Sequence, residues 1–431
     1  MSDEDDSLPS GRFARFRKLA SLSASLAADA AGKSVKRLTG SDPLELSKGT
    51  AEKLVAALGE MKGMAMKLGQ AVSMDPEAFP PEARAVLARL QNAAPPMSYE
   101  KVERVVGEEL GASPQSVFAS FEKTPLAAAS LGQVHRAVTK DGREVVVKVQ
   151  YPEIAKGLRS DLDNLAMLVK TMGSTPVFDI RKHFEDVRNE FLSELDYRRE
   201  AELARAFKTE LSQWRDLTAP EPLESLSAGR VLTLEYLRGP TLKEFIHNGA
   251  SNDDRFRVST QLTNVLFGPF LKSGVMHVDP HPGNYLVMEG GTLGVLDFGA
   301  VKRFSEDFID VNRQMFRKAV LDDRSVDPAA LSHRIGFEIG IPDEEIRSLV
   351  DATYAIVCRP LREPTWDYAK DDTQQKVREF ARSKLTRFMK FKPPVEMPLF
   401  LRAVGGTYQN HRVLAAHGPF RDAYVELLKL C

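Results

Sequence analysis

Little in this chain suits a secreted or membrane-spanning protein. It carries two cysteines, Cys358 and Cys431, too few for a disulfide framework or a zinc site, which points to a reducing compartment. No apolar run approaches the ~18 uninterrupted residues that a membrane span requires. The opening MSDEDDSLPSG is acidic where a signal or transit peptide would be basic. An excess of one charge is lacking too: 59 lysines and arginines against 60 aspartates and glutamates leave a formal net charge of −1. Bulk electrostatics therefore argue against nucleic acid as a partner. The expectation is a soluble, cytoplasmic protein that could touch a membrane surface peripherally.

What is present is ordinary in amount and informative in order. With 431 residues, 43% hydrophobic and 28% charged, the chain is long enough for two or three packed units, because single cores seldom grow past about 250–300 residues. Residues 1–45 form a basic segment: between Gly11 and Gly40, seven lysines and arginines stand against Asp29 alone, with Phe13, Phe16, Leu19, Leu22 and Leu26 interleaved. A helix lying on an anionic membrane fits that composition, although Arg15 falls among the leucines at helical spacing. Residues 46–115 read as helical, centred on EKLVAALGEMKGMAMKLGQAVSM and broken at Asp75-Pro76 and Pro80-Pro81. Residues 116–238 turn to strands, with Asp141-Gly142 between two alternating apolar runs as a hairpin signal, then a long helical stretch and the strand RVLTLEYL. Residues 239–431 are mostly helical, interrupted by the hairpin YLVMEGGTLGVLDF with Gly290-Gly291 as its turn. The architecture expected is α+β: a small β-rich lobe, a larger helical lobe, and a helical extension in front.

The densest chemistry lies in HVDPHPGN, His277 to Asn284, followed after the hairpin by Leu296-Asp297-Phe298-Gly299. Histidine, aspartate and asparagine fall at the spacing of the kinase catalytic loop H-R-D-L-x-x-x-N, and D-F-G is intact. Phosphoryl transfer needs these residue types. One carboxylate, Asp279, belongs beside the attacking hydroxyl or water; an amide oxygen and a second carboxylate, Asn284 and Asp297, belong on the hard Mg²⁺ ions that bridge the phosphates of ATP. Taken singly each has a plainer use: an aspartate caps a turn, an asparagine adopts a left-handed turn, and His277 serves as an internal hydrogen-bonding anchor. Both motifs in this order, flanking a glycine-turned hairpin, favour the catalytic reading.

Upstream, Ala127-x-Ala129-x-x-Gly132-x-Val134 occupies the frame of the phosphate-covering G-x-G-x-x-G-x-V, and VVVK places Lys148 where the phosphate-pairing lysine belongs. The nucleotide-binding set expected there is Ala127, Ala128, Ala129, Ser130, Gly132, Gln133 and Val134. Alanine in place of glycine adds a methyl group and reduces the freedom of the amides to wrap a phosphate, so the loop should hold a nucleotide in a different pose. A lone Lys148 would read as a snorkelling strand lysine. A later helix should supply the glutamate that holds it, and Glu200 is the candidate, with Glu194 and Asp196 a turn or so earlier. After Val231-Leu232-Thr233-Leu234, the segment Glu235-Tyr236-Leu237 stands where a hinge would offer backbone groups to adenine, Glu235 and Leu237 among them.

With these residues in view, the chain resembles the UbiB or AarF-domain family of atypical protein-kinase-like proteins from about residue 50 to at least 310. Lys67-Leu68-Gly69-Gln70 (K-x-G-Q), the alanine-rich loop, Glu194-Leu195-Asp196 (E-x-D), Glu200, HVDPHPGN and LDFG carry the resemblance. It implies a two-lobed protein-kinase-like fold whose K-x-G-Q helix folds over the active site and blocks protein substrates. Lys67 would approach Glu194 and Asp196 in the cleft, and Gln70 the nucleotide, ATP or ADP. The resemblance also implies an ATPase or small-molecule kinase linked to ubiquinone biosynthesis, with a lipid or phenolic quinone precursor as partner. No A-P-E element follows LDFGAVKRFSEDF, so a peptide-binding platform is not expected. Two alternatives stand beside this. An aminoglycoside- or choline-kinase-like enzyme shares H-x-D-x-x-x-x-N but lacks the K-x-G-Q helix; a nucleotide-gated scaffold would bind ATP with little turnover.

Overall fold

The computed structural model describes residues 96–129, 131–152, 154–171, 185, 188–189 and 192–431. Lys67, Gln70, Ser130 and the basic segment 1–45 lie outside the described residues.

The small lobe begins with α1 (Tyr99–Leu110) and continues through β1 (Ser120–Phe121), β2 (Ala127–Ala129), β3 (Gly132–Val138) and β4 (Glu144–Gln150). Further along come α2 (Ile154–Thr171), α3 (Tyr197–Leu211), β5 (Leu217–Thr218) and β6 (Val231–Glu235). Strands β1, β3, β4 and β6 form an antiparallel sheet in that order, with β2 also on β3. The Asp141-Gly142 turn closes β3 onto β4 with Gly142 at φ 87°, a left-handed conformation that favours glycine. Alternation then sorts side chains by face. Val145, Val147 and Val149 of β4 pack on Val102, Val105 and Val106, which share one stripe of α1.

Helix α3 buries Tyr197, Ala201, Ala204, Phe207 and Leu211. Its core joins the lobes, because the same cluster holds Leu232 and Leu234 of β6 together with Val265, Val275, Val295 and Phe298 further along the chain.

The large lobe opens with α4 (Leu242–His247), started by a Thr241/Glu244 capping box, and α5 (Asn252–Ser273). Four short strands carry the motif segment: β7 (Val275–His277), β8 (Tyr285–Val287), β9 (Leu293–Val295) and β10 (Val301–Arg303). β10 pairs with β7, and the β8–β9 hairpin takes β5 alongside β9. The carbonyls at the end of α5 accept from Arg313 (Leu271 O 2.7 Å, Lys272 O 3.0 Å) and Arg303 (Ser273 O 3.0 Å), which satisfies groups that a helix end otherwise leaves open.

Helices α6 (Glu306–Leu321), α7 (Pro328–Arg334), α8 (Asp343–Val357), α9 (Arg359–Arg362), α10 (Thr373–Ser383), α11 (Leu385–Phe388), α12 (Met397–Leu414) and α13 (Phe420–Leu427) complete the lobe. This tail is part of the core: Ala403, Phe420 and Tyr424 pack with Phe270, Phe304 and Phe308. The architecture is α+β and two-lobed, as the sequence led one to expect.

Candidate active site

The sheet register decides which loop residues can face the cleft. Ala127 stands opposite Val134, Val134 opposite Lys148, and Lys148 opposite Leu232. Directly opposed residues point to the same face of a sheet, so these form one row, with Ala129 on the same side. The neighbouring row, Ala128, Gln133, Val149 and Val231, points the other way. From the expected nucleotide-binding set, Ala128 and Gln133 therefore have only backbone groups to offer on the Lys148 face.

Gln133 is buried at 1% exposure and has its own occupation. Its Oε1 accepts from the Met97 amide at 2.8 Å, and its Nε2 lies 3.3 Å from the Met97 carbonyl and 2.9 Å from His135 Nε2. Gly132 is required by packing, since a Cβ there would run into the Val149 carbonyl on β4.

Lys148 reaches Glu200 with Nζ 2.8 and 3.0 Å from the two carboxylate oxygens. Asp196 makes this possible. Its Oδ1 accepts from the Arg198 and Arg199 amides at 3.1 and 3.3 Å, starting α3 so that Glu200 falls in the first turn. Tyr197 lies beneath, with its ring centroid 4.9 Å from Lys148 Nζ. Burial alone would push the Lys148 ammonium toward deprotonation, but Glu200, backed by Asp297, outweighs it and raises the pKa above the usual lysine value. The Phe298 amide is near enough to favour the charged form of Glu200, which ties the pair to the D-F-G segment. The Cγ of Glu194 would be 3.4 Å from a Cβ on Gly299, so Glu194 borders the same segment while Asp196 is exposed at the helix start.

The catalytic-loop residues converge from the opposite side. His277 is 2% exposed, donates through Nε2 to the Asp297 carbonyl, and meets the ring of Phe298 edge-on at 6.5 Å. This is the anchoring use of the histidine. Asn284 Nδ2 donates to the carbonyl and carboxylate of Asp279 at 3.1 and 3.2 Å, which turns the amide oxygen to the other end. Asp297 Oδ1 accepts from the Gly299 amide at 3.1 Å. At the hinge, the Glu235 amide is donated to Glu221 O and the Tyr236 amide to Glu144 O, and the Leu237 side chain is buried.

His281 had no role in the sequence reading. Its Nδ1 accepts from the Gly283 amide at 3.1 Å, which puts the proton of the neutral ring on Nε2. Burial lowers its pKa, against the pull of Asp279 and Asp297. The repeated histidine inside HVDPHPGN was the available signal.

Known proteins bear on this arrangement. A model of the ABC1 atypical kinase-like domain matches residues 89–326. The probable serine/threonine-protein kinase abkA of Dictyostelium discoideum is 31% identical over 70% of this chain and 58% of its own length, so the chain spans little more than half of that relative. The mitochondrial atypical kinase COQ8B of Rattus norvegicus is 30% identical over 97% of this chain and 80% of its own. Among solved structures, the complex of Rv3197 with erythromycin from Mycobacterium tuberculosis is similar with a TM-score of 0.62 and 28% identity, covering 88% of this chain and 96% of that one. Motifs, lobes and kinship agree, and the chain belongs to the ABC1 atypical kinase-like, or UbiB, family.

Proposed function

We propose that the cleft binds ATP with Mg²⁺ and transfers or hydrolyses its terminal phosphate. The observation that carries the reading is the position of Asp297, close enough to Lys148 on one side and His281 on the other to act on the charge of both. A phosphate-pairing cation and a catalytic loop thus share one acidic neighbour. The donor chemistry fits the metal. Asn284 and Asp297 offer hard oxygens, the set that suits Mg²⁺, while His277 is committed to the Asp297 carbonyl.

The metal, when bound, would neutralise charge on the phosphates. Lys148, kept charged by Glu200, would pair with the α- and β-phosphates. Ala127, Val134 and Leu232 would supply the apolar face over the base, with Glu235 O and Leu237 N as its polar partners. Asp279, oriented by Asn284, would take the proton of an acceptor hydroxyl or orient a water. Nucleotide-induced thermal stabilisation tests this. We expect a Mg²⁺-dependent shift in the parent that Asp297→Asn abolishes, and a parent with no such shift overturns the reading.

The finer parts of the proposal rest on kinship. Support for isoprenoid quinone biosynthesis follows from the family, with a phenolic or lipid precursor as partner; phosphate release unchanged by phenolic precursors and anionic vesicles would count against it. Suppression of protein-kinase activity by the K-x-G-Q helix, through Lys67 and Gln70 beside Glu194 and Asp196, agrees with the missing A-P-E element. The division at 1–45, 46–115, 116–238 and 239–431 is retained as a proposal. No helix among the described residues is long and apolar enough to cross a membrane; a cytoplasmic location with peripheral membrane contact is retained as a proposal on the cysteine content and the basic segment 1–45. A small-molecule acceptor is the second reading, favoured by the erythromycin complex of the similar structure; phosphorylation of an added aminoglycoside or choline would support it.

A further inference from the structure

We infer that Arg402 and Asn410, both on the tail helix α12, are positioning residues that hold the aim of Asp279. Three consecutive carbonyls of the catalytic loop each accept a side-chain donor: Val278 O from Arg402 Nε at 2.8 Å, Asp279 O from Asn284 Nδ2 at 3.1 Å, and Pro280 O from Asn410 Nδ2 at 2.7 Å. The two outer donors come from one helix: Arg402 holds the peptide that enters Asp279, and Asn410 holds the one after Pro280. Asn410 is 3% exposed, so losing its donor would leave a buried carbonyl unsatisfied, which a native loop avoids by rotating the peptide. Rotation of the Val278–Asp279 peptide, which Arg402 restrains, turns Asp279 directly, and Asn410 keeps the loop just beyond it from following.

The helix is itself held fast. His411, beside Asn410, bonds Ser259 of α5 and stacks on Tyr368 at 5.0 Å and 26°. Arginine and asparagine are suited to the work, because a rigid multi-donor group on a locked side chain fixes a neighbouring loop with little freedom left to lose. The ABC1 model ends at residue 326, so α12 lies outside the region that defines the family's domain.

This inference rests on the proposed role of Asp279, and its test separates the two. Arg402→Met and Asn410→Ala are made in the full chain, with Arg402→Lys as the conservative variant. Amide hydrogen exchange is followed across residues 275–285, and ATP turnover with Mg²⁺ is measured alongside. We expect faster exchange at the Asp279 and His281 amides, kcat lower by about 10- to 100-fold with KM for ATP held within about twofold, and partial rescue by Arg402→Lys.

Unchanged exchange in the loop overturns the inference whatever the activity. So does a kcat equal to the parent's, or a loss of kcat that arrives only with a matching rise in KM. Should Asn410→Ala fail to fold, Arg402→Met, at the exposed end of the pair, decides the matter alone. A parent that neither binds nor turns over ATP would sink the functional reading, and the exchange measurement would still judge the clamp.

Discussion

The phosphate side of the cleft and the catalytic-loop side are held by different means. Lys148, half-buried, and Glu200, buried, meet directly though 52 residues apart in sequence. Asp279 is fixed mostly through its main chain and through Asn284, with its carboxylate only half-buried. The first arrangement makes two charges depend on each other. The second leaves a charge close to solvent and concentrates the constraint on geometry. Damage on the first side should therefore appear in stability, and on the second in rate.

The largest expected effect is on the loop side. Asp279→Asn should lower phosphate release by about 10²–10⁴-fold, the usual contribution of a positioned acid or base, with stability within about 0.5 kcal/mol of the parent. A variant that loses stability and keeps its rate would invert the comparison. Glu200→Gln comes next, and should cost about 3–5 kcal/mol in denaturant unfolding, because it strands a buried ammonium. Lys148→Met combined with Glu200→Gln should recover part of that loss. If the double variant is as unstable as the sum of the singles, the two groups are not mutually dependent.

The third effect is on pH dependence. Burial pushes the His411 imidazole down to about 3 from 6.5, so the folded protein holds it neutral while the unfolded chain takes up its proton. The contribution to stability is complete above about pH 6.5 and falls as pH drops toward 3, at about 1.4 kcal/mol per pH unit for this one group. His411→Gln should flatten that slope, and an unaltered slope would show that acid acts elsewhere. The smallest effect separates the two faces of the sheet. Ala127→Gly should change the ratio of ATP to ADP affinity by about two- to fivefold, the scale of alanine–glycine differences, whereas Ala128→Gly should leave it unchanged. Equal responses at both positions would contradict the register argument.

Much of the site could be read from the chain because its residues sit at fixed offsets within short elements. His277, Asp279 and Asn284 share one loop, Asp297 follows one hairpin later, and Lys148 announces itself as a charge inside an apolar strand. Glu200 followed from the need for a partner. What the motif left open was the face. A motif gives position along the chain, and only the pairing of Gly132 with Gln150 and of Gln133 with Val149 reveals that Ala128 and Gln133 look toward α1. Arg402 and Asn410 were beyond reach for a different reason: their acceptors lie 124 and 130 residues away, with no periodicity to connect them. The fold was legible at the level of lobes, since strand alternation and helical spacing are local, while the packing of the tail against α5 depends on contacts that no window of sequence contains.

The tail's share in the second core has a practical meaning for anyone who trims this protein. The match to the ABC1 domain model ends at residue 326, and a chain cut there would keep every motif residue named above. It would also strip Phe270 and Phe308 of Phe400, Phe256 of Phe420, and Phe267 and Phe316 of Tyr424, opening a greasy surface of the kind that drives aggregation. The stretch that a motif defines and the unit that holds a core together have different ends in this molecule.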